Sequence, residues 1–308
     1  MNVFVTGASG VIGRRVIPTL LARGHRVTAA GRPSARLDAL RNTGASVSAL
    51  DIFDSAAAQR AMTGHDVVIN LATAVPSNNR MFIPGAWRGT DRIRRDASRA
   101  LTDAAIRAGV KTFVQESFAP IYADGGDTWI TESARVKPAR YNESAMDAEA
   151  SAQRFGQSGT AIVLRFALFY GPGDAFSDTV LSTVKRGWMP VLGKRESYVS
   201  MVTHDDAAGA VVSAIAVPAG IYNVVDDEPM TREALGTSLA SMMDVSPPKF
   251  LPLWLAKLGG SLGETITRSL RISNSALKVA SGWSPRYPSM REGFGAVLEN
   301  AAADPAAA

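Results

Sequence analysis

The chain of 308 residues contains no cysteine and only three histidines, His25, His65 and His204. The first absence excludes disulfides, thiolate-bound metals and a thiol nucleophile, and it fits a reducing compartment. The second, with the histidines far apart in sequence, gives no reason to expect a metal site. Also missing are a run of eighteen apolar residues and a charged segment followed by an apolar one, since Met1 leads straight into Val3-Phe4-Val5. The expectation is a cytoplasmic protein with no membrane partner. No internal repeat is present.

What is there is ordinary for a globular chain: 46% hydrophobic and 20% charged residues, in a length that suits one large domain or two smaller ones. The net charge is +5. Its densest cluster, Arg88, Arg92, Arg94, Arg95 and Arg99, is interleaved with Asp91 and Asp96. That mixture reads as a solvated helix face or a pocket for an anionic cofactor or substrate, not as a nucleic-acid surface.

The richest stretch is the first thirteen residues, MNVFVTGASGVIG. A short apolar strand runs into Gly7, Gly10 and Gly13, and an apolar helix face follows through Val11, Ile12, Val16, Ile17, Leu20 and Leu21. Glycines between a buried strand and a helix let the backbone turn sharply and let a diphosphate approach main-chain N–H groups at the helix's positive end. The spacing alone is equally compatible with a structural turn. Further strands are predicted at Val27–Ala30, Val47–Leu50, Asp66–Ala72 and Thr112–Gln115, alternating with helical segments that include 93–108. That rhythm predicts βαβ units and a doubly wound parallel sheet.

The opening resembles the TGxxGxxG of the extended short-chain dehydrogenase/reductase group, the NAD(P)-dependent epimerase/dehydratase family. The resemblance recurs at Arg165-Phe166-Ala167-Leu168-Phe169-Tyr170-Gly171-Pro172-Gly173, at Tyr198-Val199-Ser200-Met201-Val202-Thr203-His204-Asp205-Asp206-Ala207, and at Ser281-Gly282-Trp283-Ser284-Pro285-Arg286-Tyr287. Asp206 in the second of these reads as the cap of a helix beginning at Ala207. The family implies a Rossmann-type α/β fold with a smaller C-terminal substrate-binding lobe: 1–172 with 198–226 as the NADP-binding unit, 173–197 and 227–300 as the lobe, and 301–308 as a flexible tail. The lobe's Trp188, Met189, Met242, Met243 and Trp254 suit an apolar pocket or simply the lobe's own core.

The implied cofactor-binding residues are Gly7, Ser9, Gly10, Val11, Ile12, Gly13, Arg32, Arg36, Asp51, Ile52, Ala72, Thr73 and Tyr141. An NAD site usually ends the second strand on a carboxylate that takes the ribose 2′-hydroxyl. Here Gly31 is followed by Arg32, and Arg36 lies a turn later, so NADP is expected, its 2′-phosphate paired with arginine. Asp51 is a candidate partner of the adenine.

The family's chemistry uses a Ser or Thr at the end of strand five and a Tyr-x-x-x-Lys pair, the tyrosine exchanging a proton and the lysine lowering its pKa. Tyr141 matches the tyrosine, but the fourth residue on is Ala145. Counting back from Tyr122, the hydroxyl position is Phe118, with Ser117 and Glu116 before it. Tyr141, Ser117 and Glu116 are the catalytic candidates, with Lys137 or Arg165 as replacements for the lysine. A free tyrosine of pKa about 10 is ionised in about one molecule in a thousand at pH 7, a handicap of about 4 kcal/mol for any step needing phenolate. The expected activity is NADP(H)-dependent oxidoreduction or epimerase/dehydratase chemistry on a small carbonyl or hydroxyl compound. The alternatives are a non-redox isomerase, lyase or cyclase, and an NmrA-like sensor of NADP. The helices near 93–108 and 141–156 resemble those that pair subunits in the family, which implies a homodimer.

Overall fold

Apolar runs bounded by glycine and helical segments become strands of one parallel sheet. A computed structural model describes residues 1–77, 80–83, 85–189 and 191–303. The strands are β1 (Asn2–Thr6), β2 (Arg26–Gly31), β3 (Ser46–Ala49), β4 (Val67–Asn70), β5 (Thr112–Phe118), β6 (Thr160–Phe166) and β7 (Gly220–Val224). They lie in the order β7-β6-β5-β4-β1-β2-β3, each neighbouring pair parallel. The winding direction reverses between β1 and β4, the switch point where doubly wound sheets receive ligands. The expected strand 66–72 stops at Asn70; Leu71 N still donates to Thr6 O at 3.2 Å before the chain leaves the sheet.

The principal helices are α1 (Gly13–Ala22), α2 (Ser55–Met62), α3 (Ser98–Arg107), α4 (Ser144–Phe155), α5 (Ala175–Lys185), α6 (His204–Ala214), α7 (Arg232–Met242), α8 (Gly260–Ile266) and α9 (Met290–Ala303). Side chains alternate across a strand, so each sheet face has its own core. Val3, Val5, Ile69, Val114 and Ile162 meet α1 and α6 on one side. Phe4, Val68, Phe113 and Val163 meet α2, α3 and α4 on the other. Val16, Ile17 and Leu20 of α1 are fully buried, each contributing about 1.5–3 kcal/mol. A separate core joins α5, α7 and α9 through Val180, Leu239 and Phe294. It takes in Met189, whereas Trp188 and Trp254 stay 44% and 60% exposed. The chain remains helical to Ala303, and the rest of the expected tail, 304–308, lies outside the described residues.

Three local expectations need correction. Asp206 is not the cap of a helix starting at Ala207: α6 starts at His204 and Thr203 caps it, its hydroxyl accepting from Asp206 N at 3.1 Å. The Asp206 carboxylate instead accepts from the amides of Arg286 (2.6 Å) and Tyr287 (3.3 Å), tying the C-terminal segment to α6. The helix after Tyr141 starts at Ser144, because Asn142 turns the chain first, accepting from Ala139 N at 2.7 Å and donating to Pro120 O at 3.2 Å. Third, the helical path toward α3 begins at Arg88 and contains a π turn, Ile93–Ala97. The helices α3 and α4 pack together, and ion pairs Arg95–Asp147 and Arg154–Asp103, both at 2.9 Å, lace their outer face.

Asp226, just past β7, is buried, and neither carboxylate oxygen has a partner among the described residues. Burial first, then the neighbouring carboxylates Asp227, Asp206, Glu228 and Glu292, push its pKa well above the ordinary range. The folded protein therefore keeps a proton that the unfolded chain releases above about pH 4, and stability falls as pH rises through that window. Asp226→Asn should raise the melting temperature at pH 8 and have little effect near pH 3. Melts showing the same shift at both pH values would contradict the assignment.

Candidate active site

At the switch point, Gly7 has φ +68, and a Cβ there would lie 2.5 Å from the Leu71 carbonyl carbon and 2.7 Å from Ala72 N. The turn after β1 is thus nested against the chain leaving β4, a fit only glycine allows. A Cβ on Gly13 would collide with the Gly7 oxygen and stand 2.6 Å from the Ala8 oxygen. Gly10 N donates to Gly7 O at 2.9 Å, closing the loop. No side chain caps α1 at Ile12, which leaves its positive end with backbone donors, as at an anion site. Ser9 and Ile12 are half-buried and Val11 is exposed along this rim.

The neighbouring edges agree with a dinucleotide lying across the sheet. Strand β2 ends at Gly31, with no carboxylate, and Arg32 and Arg36 are exposed beyond it. Asp51 is exposed and accepts from Phe53 N at 3.0 Å, while Ile52 packs partly into the adjacent core. Ala72 is buried and Thr73 exposed where the chain leaves β4.

The carboxyl end of β5 carries the remaining candidates, and they separate. The Ser117 hydroxyl is buried and donates to Glu149 Oε1 at 2.6 Å. Glu149 also receives both arms of Arg165, Nε at 2.8 Å and Nη2 at 2.7 Å, and Arg165 Nη1 donates to the Tyr122 hydroxyl at 2.8 Å. Ser117 and Arg165 are therefore committed to one buried network. Lys137 is also committed, to Glu264 at 3.0 Å on the surface.

Tyr141 lies elsewhere, in an apolar cluster of Ala139, Leu262, Met81, Trp87, Phe118 and Ile266. The Trp87 ring meets it edge-on at 4.8 Å. Burial pushes its pKa up to about 12, against smaller opposing effects of hydrogen bonding with Thr265 and the charges of Arg268 and Arg94. Ala145, one helical turn on, is fully buried. The phenol thus stays protonated at neutral pH.

Glu116 faces Arg94, a member of the densest arginine cluster, for which the sequence left a solvated helix face and an anion pocket both open. The guanidinium is 2% exposed, donates from Nη2 to Glu116 Oε1 at 2.8 Å and lies 5.7 Å over the Phe118 ring. The π turn carries Arg94 inward, and such turns recur at functional sites. No periodicity in Asp91-Arg92-Ile93-Arg94-Arg95-Asp96 announces it. Thr265 was also missed, arriving on α8, 124 positions beyond Tyr141.

A glycine turn nested at the switch point of a 3-2-1-4-5-6 type sheet defines a dinucleotide-binding Rossmann protein. Residues 7–160 match the NAD(P)H-binding family. A 3-diazoavenalumate denitrifying reductase from a Streptomyces species is 32% identical over 96% of this chain and 99% of its own. An epimerase family protein of Mycobacterium leprae is 25% identical, covering 90% and 88%. In structure, the UDP-glucose 4-epimerase of Thermotoga maritima superposes with a TM-score of 0.75 at 21% identity, covering 97% and 98%. The chain belongs to the NAD(P)-binding epimerase and short-chain dehydrogenase/reductase family.

Proposed function

We propose that this chain is an NADPH-dependent reductase that delivers hydride to an electrophilic, apolar small molecule without a tyrosine–lysine proton relay. The observation that carries this reading is the local chemistry around Tyr141: Ala145 where the family's lysine would stand, Phe118 where its hydroxyl would stand, and a phenol pushed up to about 12. At pH 7 such a phenol is ionised in roughly one molecule in 10⁵, a cost of about 7 kcal/mol for any step that starts from phenolate. Alcohol oxidation needs that step. Reduction does not.

When bound, the reduced dinucleotide supplies a hydride. The chain's own residues hold it: Gly7, Gly10 and Gly13 admit the diphosphate, and Arg32 with Arg36 meets the 2′-phosphate. Met81, Trp87 and Leu262 exclude water around Tyr141 and Phe118. Tyr141 then serves as proton donor or packing wall according to the substrate. The 32%-identical relative, a 3-diazoavenalumate denitrifying reductase, supports a reading in which the substrate needs no relay. In hydride replacement of an aryl diazonium group the C–N bond breaks, its electron pair leaves with dinitrogen, and a C–H bond forms. No oxygen needs a proton.

Comparing two substrate classes tests this. Tyr141→Phe should change NADPH oxidation by aryl diazonium salts less than about 5-fold, yet slow aryl ketone reduction 10²–10⁴-fold, the usual worth of a proton donor. Equal large losses for both classes would contradict the account. The cofactor preference is checked separately: Arg32→Asp should weaken NADPH binding about 10–100-fold relative to NADH in a fluorescence titration, the worth of one charge-assisted bond. An unchanged ratio would remove Arg32 from the site. The homodimer expected through α3 and α4 would have to pair their ion-laced outer face.

A further inference from the structure

Arg94 carries an unexplained chemistry. It is 2% exposed, yet its Nε and Nη1 have no partner among the described residues, and Glu116 Oε2 is also unpartnered. Buried donors and acceptors are almost always satisfied, so three orphans on one ion pair call for a reason. The pair lies against Phe118, which packs with Tyr141, Trp87 and Leu262. An apolar enclosure with a few convergent polar atoms is the make-up of a small-molecule site.

We propose that the Arg94–Glu116 pair is the docking point for the polar head of a planar conjugated substrate, one that sets a hydrogen-bond acceptor beside a donor or cationic nitrogen. The inference rests on the reading of this end as the hydride-transfer site and names the substrate class it takes. Arg94 presents two unpartnered donor nitrogens and Glu116 one unpartnered acceptor oxygen among the described residues, so a head group with acceptor and donor side by side bonds to both residues. Arg94 is already balanced by Glu116 at 2.8 Å, and a bare anion would gain from the arginine and be repelled by the carboxylate. The rings of Phe118, Trp87 and Tyr141 suit the conjugated body. Met81 and Leu262 belong to the same apolar cluster.

Calorimetric titration of the NADP⁺-saturated protein with two isosteric probes tests the pair without turnover. Benzamide offers one acceptor and one donor; benzoate offers two acceptors and a negative charge. Wild type should bind benzamide at least 10-fold more tightly than benzoate. Glu116→Gln leaves Arg94 unbalanced and should reverse the order, while Arg94→Met should abolish any preference. Equal affinities in the wild type, binding of neither probe, or an unchanged order in Glu116→Gln each overturn the proposal. The wild-type comparison needs no variant to fold. A preserved ranking in a protein that never consumes NADPH would instead overturn the hydride-transfer reading and leave the docking pair standing.

Discussion

Gly7→Ala should lower affinity for reduced dinucleotide at least 100-fold, about 2.7 kcal/mol or more, in a fluorescence titration. Two independent penalties meet at this position. The backbone has φ +68, which a side chain strains, and the added Cβ would stand 2.5 Å from the carbonyl carbon of Leu71. Neither neighbour is a flexible side chain that could swing aside: both are backbone, held by the bond from Leu71 N to Thr6 O. The turn must therefore move off the switch point, and the diphosphate loses its approach to the α1 terminus. An alanine variant with near-normal affinity would show that the dinucleotide does not bind over this turn.

Glu149→Gln should destabilise the fold by about 3–5 kcal/mol, since it leaves the Arg165 guanidinium, 4% exposed, without its countercharge. The same change also weakens the hold on Ser117 and, through Arg165, on the Tyr122 hydroxyl, which bonds Asn223 at 2.8 Å on β7. One buried pair thus links β5, α4, β6 and β7. Glu233→Gln is the control: its pair with Arg195 is more than half exposed on both sides, so the change should be under about 1 kcal/mol. Denaturant unfolding separates the two; similar small effects would deny Glu149 its structural role.

The fold was legible because its signals are local. Val3-Phe4-Val5 before the glycines, and the near-continuous apolar run at β4, report burial on both sheet faces directly. Gly31-Arg32 is equally local. What escaped depends on distant partners or on a change of helical register. Asp206 looked like a cap until Arg286 and Tyr287, eighty residues later, arrived to use its carboxylate. Arg94 stood in a mixed-charge cluster that reads equally as a solvated helix face or an anion pocket, and the π turn brings it inside. Ser117 was a candidate catalytic hydroxyl by position, but its commitment to Glu149 requires α4 and β6 to be in place. Tyr141 was identifiable by its place in the chain, whereas its high pKa comes from burial among Trp87 and the α8 residues Leu262 and Ile266.

The central claim is hydride delivery from a dinucleotide in a site whose tyrosine stays protonated. Its most direct test is isotopic. The wild-type protein is supplied with NADPH deuterated at the transferring position and a panel of aryl diazonium salts and aryl ketones, whose reduction forms a C–H bond that does not exchange with water. The account predicts one deuterium in each reduced product and one NADPH consumed per product formed. Product appearing with no NADPH consumed and no deuterium gained would contradict it.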